Sequence, residues 1–437
     1  MSERRFRVLA VASHPVQYSA PIFRLMAQHP GLDFHVAYCS LRGAEEAHDA
    51  DFATAVKWDV PLLDGYAWTH VPNRGSGSES FFGLRNPALW GLIRRGHFDA
   101  VLCFTGYIRA TFWIAYMSAK LAGAAFLFGT DATTLVSRAD RQWKRLAKRT
   151  LWPLLFRLAD QVIAPSSATR DLMLSLGIPD DRVTLTPYVV DNDWWTSGSA
   201  AVDRASVRAS WGATPADTVV LFCAKLQPWK RPLDLLRAFA KASLPNAILI
   251  FAGEGPLRPQ LESEVTALGI TRRVRFLGFV NQSQLPAVYT ASDVMVLPSE
   301  YEPFAVVVNE AMCCGCPAIV SDRVGAAQDL IAPVNPDFIF RCGDTDALAS
   351  LLTRLAADPV SLRTLGRRCL AHIQTWAPQR NVSATIDAIK RAVTHTRSPE
   401  PTTGPRRNAD PEQAISQKSP NGSGAFSKLF SRKSHPE

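Results

Sequence analysis

The chain has 437 residues, 47% of them hydrophobic and 20% charged, which is too long for one ordinary core and apolar enough for most of it to fold as two domains. Its net charge of +9 suits phosphorylated substrates or anionic lipid surfaces, and no helix-turn-helix, finger or RNA-binding sheet signature accompanies it, which sets nucleic acid aside. No apolar run approaches the roughly 18 residues that a membrane span requires.

Strand-like and helix-like patterns alternate along the chain, which predicts α/β layers with parallel sheets. Residues 8–12 read as the first strand. The run is too short, and too soon interrupted by Ser13-His14-Pro15, to be a signal peptide, so a cytoplasmic protein is expected. Residues 34–38, 100–104, 125–128 and 161–164 read as further strands of a first domain, with helical patterns over 110–122 and 141–159. The Gly- and Ser-rich loop 73–79 is expected to be mobile. Periodicity breaks at 192–199, and a domain boundary is expected between 192 and 216. A new strand follows at 217–223, then others at 247–251, 274–276, 294–297 and 318–320, with helices over 344–357, 362–374 and 382–393. From about residue 397 the composition shifts to Ser, Pro, Thr, Gly, Asn and charges, the composition of a disordered tail. That tail ends in a small basic patch with Phe426 and Phe430, which fits either a solvated end or weak membrane or partner contact. The expected division is 1–200, 201–380, a last helix over 381–396, and a tail over 397–437.

Of the eight cysteines, Cys39, Cys103 and Cys223 fall in or beside strand-like runs and read as small core residues. Cys313, Cys314 and Cys316 cluster at a predicted helix end, but no second ligand pair follows, so no metal site is expected.

The most informative stretch is 299–325. Glu302 and Glu310 stand eight positions apart, a little over two helical turns, so on a helix they fall near one face. Phe304 and Ala305 are expected in the first turn, where backbone N–H groups lack partners and attract an anion such as a phosphate. Two carboxylates flanking a bound phosphate would suit a nucleotide-sugar, although spacing alone is also met by a surface helix with two solvated glutamates. The segment resembles the signature of retaining glycosyltransferases of family 4, a Glu-x7-Glu motif followed by Gly-x-Pro, here Glu302, Glu310, Gly315 and Pro317. The similarity extends over most of residues 6–390.

The resemblance implies the GT-B architecture: two facing Rossmann-like domains around a deep cleft, the last helix crossing back to the first. It implies transfer of a sugar from a nucleoside diphosphate sugar to a glycan or lipid-linked acceptor, with retention of configuration, no metal and no cofactor. The setting it suggests is surface polysaccharide, lipopolysaccharide or glycolipid synthesis. Glu310 would bind the nucleotide ribose, Glu302 the transferred sugar, and the backbone of Phe304, Ala305 and Val306 the distal phosphate. Lys225 and Lys230 would neutralise the leaving diphosphate, Lys225 standing where an Arg is usual and lacking its bidentate fork. Without the resemblance, a solvated basic loop fits these two equally. Gly253 and Gly255 match a loop beside the nucleotide, and Gly278 and Phe279 flank the base, though Gly-x-Gly-Pro is also an ordinary turn.

In the first domain the loop after strand one carries no Gly pair and resembles instead a subgroup beginning His-Pro-x-Gln-Tyr. His14, Gln17 and Tyr18 would hydrogen-bond acceptor or donor across the cleft, or else form a packed turn. Many relatives place a His near the transferred sugar. Here the loops at Tyr107 and Asp131 have none, and Asp131 is the candidate for that place, with an N-capping Asp as the alternative. The basic, apolar pattern between Arg138 and Ala159 suits a helix lying on the anionic inner face of the cell membrane, or an amphipathic helix with one buried face and one solvated basic face. Two other activities fit the same features: a nucleotide-sugar epimerase of the same fold, which needs no acceptor, and a noncatalytic nucleotide-sugar-binding protein.

Overall fold

The computed structural model describes residues 4–49, 54–136 and 142–397. In chain order the first strands are β1 (Phe6–Ala12), β2 (Leu32–Tyr38), a hairpin of β3 (Ala47–Asp49) and β4 (Thr54–Val56), β5 (Ala67–His70), β6 (Ala100–Cys103), β7 (Ala125–Gly129), β8 (Gln161–Ala164) and β9 (Val183–Leu185). Apart from the hairpin they form one sheet in the order β5-β2-β1-β6-β7-β8-β9, parallel throughout. A second parallel sheet joins β10 (Thr218–Cys223), β11 (Ala247–Ala252), β12 (Val274–Gly278), β13 (Val294–Leu297), β14 (Ala318–Ser321) and β15 (Ile339–Phe340) in the order β12-β11-β10-β13-β14-β15.

The central strands are buried on both faces, so they read as continuous apolar runs rather than alternating ones; every residue of β10 and β11 is buried. Helices cover both faces with apolar stripes at helical spacing, as in Pro232–Ala242, which buries Leu235, Leu236 and Phe239. The last helix, Pro378–Arg397, places Val382, Ile386, Ile389 and Val393 in the core of β1, β6 and β7. Its neighbour Trp376 packs in the core of the second sheet, so the chain end ties the two halves together.

Strand order reverses between β1 and β6 in the first sheet and between β10 and β13 in the second. At such switch points the flanking loops diverge and leave a crevice at the carboxyl ends of the strands.

Two expectations are corrected. Residues 192–199 are not a break: Asn192–Ala200 is a helix, because Asp191 caps it, accepting from the Trp194 N–H at 3.1 Å, and because Trp195 is buried in the second core. The loop 73–79 is tied down rather than loose. The Arg74 N–H donates to the Arg85 carbonyl at 2.8 Å, and the Asn73 amide donates to the Gly83 carbonyl at 2.9 Å. The tail and the start of the basic pattern, Arg138 and Arg141 included, lie outside the described residues.

Candidate active site

The loops leaving β10 and β13 meet at the second sheet's switch point. The β13 loop carries Glu302 and then turns into the helix Val306–Cys313. This helix starts later than the spacing predicts. Proline disfavours helical backbone at the residue before it, which keeps Glu302 itself out of a helix. Ala305 is the N-cap residue, held at φ 85° and ψ 72°, and the Phe304 ring is buried against Tyr188 with centroids 5.3 Å apart. Glu302 therefore does not share a helix face with Glu310. It is fixed beside the chain after β14, where the Gly325 N–H donates to the Glu302 carbonyl at 2.9 Å and the Ala326 N–H to the Phe304 carbonyl at 2.8 Å. A side chain at Gly325 would run into the Pro303 carbonyl, so glycine is what lets the two segments pass this closely.

Glu310 lies in the second turn and is 6% exposed. The Tyr289 hydroxyl donates to its Oε2 at 2.8 Å. Burial pushes the Glu310 carboxyl up from 4.5 to about 7, while the bond from Tyr289 pulls the other way. Lys230, half-buried in the β10 loop, donates to Glu302 Oε2, so the cation expected at the diphosphate and the carboxylate expected at the sugar are in contact. Lys225 stands half-buried just beyond β10. Arg231 turns to Asp234 at 2.6 Å and Glu300 at 3.2 Å and braces the loop.

Gly253 and Gly255 have φ of 145° and 154°, and a side chain on either would strike the carbonyl of Ala224 or Leu226. Their absence of side chains lets three loops lace together through backbone. The Leu226 N–H donates to the Glu254 carbonyl at 2.8 Å, and the Gly253 N–H to the Gly278 carbonyl at 2.8 Å. Phe279, just past Gly278, faces Trp58 of the first half with centroids 6.0 Å apart. Next to it the Asn281 amide donates to the Lys57 carbonyl at 2.8 Å and the Ser283 N–H to Asp59 at 3.1 Å, so the cleft is bridged on this side.

Across the cleft, the first sheet's switch point opens a cavity of about 330 Å³ lined by His14, Tyr18, Phe23, Phe104, Tyr107 and Asp131. His14 Nδ1 is 2.9 Å from the Ser13 hydroxyl. Gln17 lies half-buried in the turn beside it and is absent from the cavity wall. The Tyr107 hydroxyl accepts from the Trp152 indole at 2.9 Å, which anchors the ring. Tyr18 meets Tyr188 edge-on at 5.6 Å, and Tyr188 in turn meets Phe304, so an aromatic chain runs from the first switch point to the start of the second half's helix. Burial, and then Asp131, push the Tyr18 phenol up to about 12. Asp131 has solvent at its surface yet protein on most sides. Burial raises its pKa, a backbone hydrogen bond opposes this, and the negative charge of Glu302 raises it further. Asp131 thus lies within electrostatic reach of Glu302 across the cleft. A second cavity of about 820 Å³ adjoins Glu302 and is walled by Thr133 of the first half and by Trp229, Arg231 and Arg323 of the second.

Asp191-Asn192-Asp193 and Asp344-Thr345-Asp346 have the Asp-x-Asp spacing of nucleotide-sugar metal sites, but their first members are helix caps. Asp344 accepts from the Ala347 N–H at 2.8 Å. Among the described residues no group of three or more His, Cys, Asp or Glu is placed to hold a metal.

Three residues of the site have no distinguishing signal in the sequence. Tyr289 falls in an apolar helical pattern and reads as core, Tyr188 follows a short edge strand, and Trp58 follows the hairpin.

The family model described as Glycosyltransferase Family 4 matches residues 23–194, and that described as Glycosyl transferases group 1 matches residues 203–369. The chain belongs to the group 1, family 4 glycosyltransferases. An uncharacterised glycosyltransferase of Methanocaldococcus jannaschii is 35% identical over 191 residues, 41% of this chain and 48% of that protein. The D-inositol 3-phosphate glycosyltransferase of Nocardia farcinica is 31% identical over 275 residues, 60% of this chain and 57% of the relative. The chain spans about half the length of the curated relatives it matches. In fold, this glycosyltransferase resembles Anabaena HepE in complex with UDP and glucose, at TM-score 0.66 and 20% identity over 88% of this chain and 100% of that one. It also resembles the lipopolysaccharide outer core galactosyltransferase WaaB, at TM-score 0.61 and 16% identity over 88% of this chain and 99% of that one. The two-sheet architecture of this glycosyltransferase is GT-B, as the sequence leads one to expect.

Proposed function

We propose that this glycosyltransferase is retaining and metal-independent, and moves a hexosyl or related sugar from a nucleoside diphosphate sugar to a hydroxyl of a glycan or lipid-linked acceptor. The observation that carries the reading is the convergence of Glu302, Lys230, Glu310 and the start of the helix Val306–Cys313 at one switch point, with Asp131 facing them from the other sheet. The UDP and UDP-glucose held by the HepE structures favour a nucleotide-sugar donor. The first-sheet cavity is suited to an acceptor and so favours transfer over epimerisation. In this reading residues 1–200 hold the acceptor, residues 201–380 hold the donor, and the helix over 381–396 ties them.

Glu310 takes the ribose hydroxyls, and Gly278 and Phe279 border the base. The amides of the helix start, which lack intrahelical acceptors, meet the distal phosphate. Lys225 and Lys230 meet the charge that builds as the bond between the sugar's anomeric carbon and the phosphate oxygen breaks. The acceptor oxygen bonds that carbon on the same face, and its proton passes to the leaving phosphate oxygen. When the donor enters, Lys230 turns from Glu302 to the diphosphate, which frees Glu302 for the hydroxyls of the sugar. Asp131 stands where positive charge develops on the sugar ring.

The test is release of free nucleoside diphosphate from UDP-glucose, UDP-galactose, GDP-mannose and ADP-glucose in excess EDTA. One donor is expected to turn over slowly by hydrolysis, and Lys230→Ala to slow it roughly 100-fold, the scale of losing one preorganised charge contact. No release from any donor, or release that requires added metal, would oppose the reading.

A further inference from the structure

Glu310 is the one site carboxylate buried without a cation. Among the described residues no ion pair reaches it, and its single side-chain hydrogen bond is the one from Tyr289 to Oε2 at 2.8 Å. No hydrogen bond to its Oε1 is found among the described residues, and the residue keeps 6% of its surface exposed. Tyr289, fully buried on the helix Leu285–Ala291, is fixed by its ring packing on Trp195 at 5.8 Å and by its oxygen lying 3.3 Å from the Cys223 sulfur at the end of β10. A phenol has one proton to give. While the phenol donates that proton to Oε2, a hydrogen bond with Cys223 has to be supplied by the thiol.

We infer that Tyr289 is a positioning residue that fixes the Glu310 carboxylate in its charged form, with Oε1 turned toward the ribose hydroxyls of the donor nucleotide. The inference rests on the donor site proposed above. The physical reason is simple. A buried carboxylate without a cation reverts to the neutral acid, and a neutral acid offers a ribose diol a poorer acceptor. A hydrogen bond that is stronger to the charged form than to the neutral acid lowers the cost of the charged form, here by about 1.4 kcal/mol, or roughly one pH unit. The other groups around Glu310 do not compete in the neutral range. Cys223 is pushed up to about 12, chiefly by burial. Cys313 and Cys314, on the same helix, are also raised, chiefly by burial.

The experiment is calorimetric titration of UDP, GDP and ADP from pH 6 to 9 into the wild type, Tyr289→Phe and Glu310→Gln. In the wild type the affinity of the diphosphate that binds is expected to rise with pH through a step near 7 and then level off, because charged Glu310 is the better acceptor for the ribose. Tyr289→Phe keeps the ring and its packing. It is expected to move the step up by about one unit, weakening binding roughly fivefold at pH 7, nearly tenfold at pH 6 and little at pH 9. Glu310→Gln is expected to lose the step. The nucleotide's own phosphate titration, near pH 6, is common to all three proteins and cancels between them. Replacement of Tyr289 by 3-fluorotyrosine, a stronger acid and donor, serves if Tyr289→Phe does not fold, and is expected to move the step down. A Tyr289→Phe profile that overlays the wild type, or weakens equally at every pH, would overturn the inference, as would a step unmoved by fluorination. Failure of all three nucleotides to bind the wild type would remove the donor site itself, a different result from an unmoved step.

Discussion

Ala305 shows how one residue sets the chemistry around it. At φ 85° its Cβ crowds the backbone, a conformation that glycine adopts freely and alanine does not. Such strain is of order 1–3 kcal/mol, and glycine returns about 0.4–1 kcal/mol of it through the entropy of the unfolded chain. Ala305→Gly is therefore expected to raise stability by about 1 kcal/mol, read as a higher thermal midpoint, with nucleotide binding unchanged. A lowered midpoint would mean that the buried Ala305 methyl contributes more packing than its backbone stores in strain. The same residue explains why the helix start was misplaced by spacing alone. Periodicity counts Glu302 to Glu310 as two turns, but the turn at Pro303 and the left-handed Ala305 put Glu302 on a loop.

Among the helices, Gln142–Phe156 departs furthest from an ordinary amphipathic pattern. An ordinary amphipathic helix buries its apolar face and solvates its charges. Here Trp152 and Phe156 are buried, yet Trp143, Leu146, Leu151 and Leu154 are 60–66% exposed. Arg145 and Arg149 are exposed among them, and Lys148 lies 4.8 Å from the Trp152 ring. Large apolar side chains set among cations suit an anionic bilayer surface, and no helix among the described residues is long and apolar enough to cross one. The protein is expected to sediment with phosphatidylglycerol vesicles and much less with phosphatidylcholine vesicles. Replacing Trp143 and Leu146 together by Ser should weaken that binding roughly tenfold or more, by the transfer energy of the lost side chains. Equal sedimentation with both vesicle types, or no loss in the double variant, would contradict membrane docking.

The strands tell what a sequence exposes. The inner strands of both sheets were legible because burial on two faces writes them as apolar runs. β5 was not, since all four of its residues are exposed, and β15 is two residues long. The helix Asn192–Ala200 was hidden by Asn, Gly and Ser of low propensity, which the burial of Trp195 overrides. In the site, Glu302, Glu310 and Lys230 stood out because they fall on motif positions of the family that the chain resembles; spacing and charge alone fit a solvated helix or loop as well. Tyr289 did not, because a core tyrosine and a positioning tyrosine look alike until their partners are known.

At the scale of the whole molecule, two switch points face one cleft, and the contacts that cross it are of different kinds. The Tyr18–Tyr188–Phe304 chain and the helix Pro378–Arg397 are apolar, while the bridge of Lys57 and Asp59 to Asn281 and Ser283 is a set of polar, solvent-exposed bonds. Exposed polar contacts contribute little net energy, so the side held by them and by the Trp58–Phe279 pair is expected to open more easily than the last helix. That asymmetry gives donor entry and closure a physical route. The central claim, that the cleft binds a nucleoside diphosphate through Glu310, is tested most directly by thermal denaturation with UDP, GDP or ADP, without added metal, on the wild type and Glu310→Ala. Binding to the folded state raises the midpoint with occupancy. The account predicts that one diphosphate raises the wild-type midpoint and loses most of that effect in Glu310→Ala. No shift with any of the three, or an equal shift in both proteins, would contradict it.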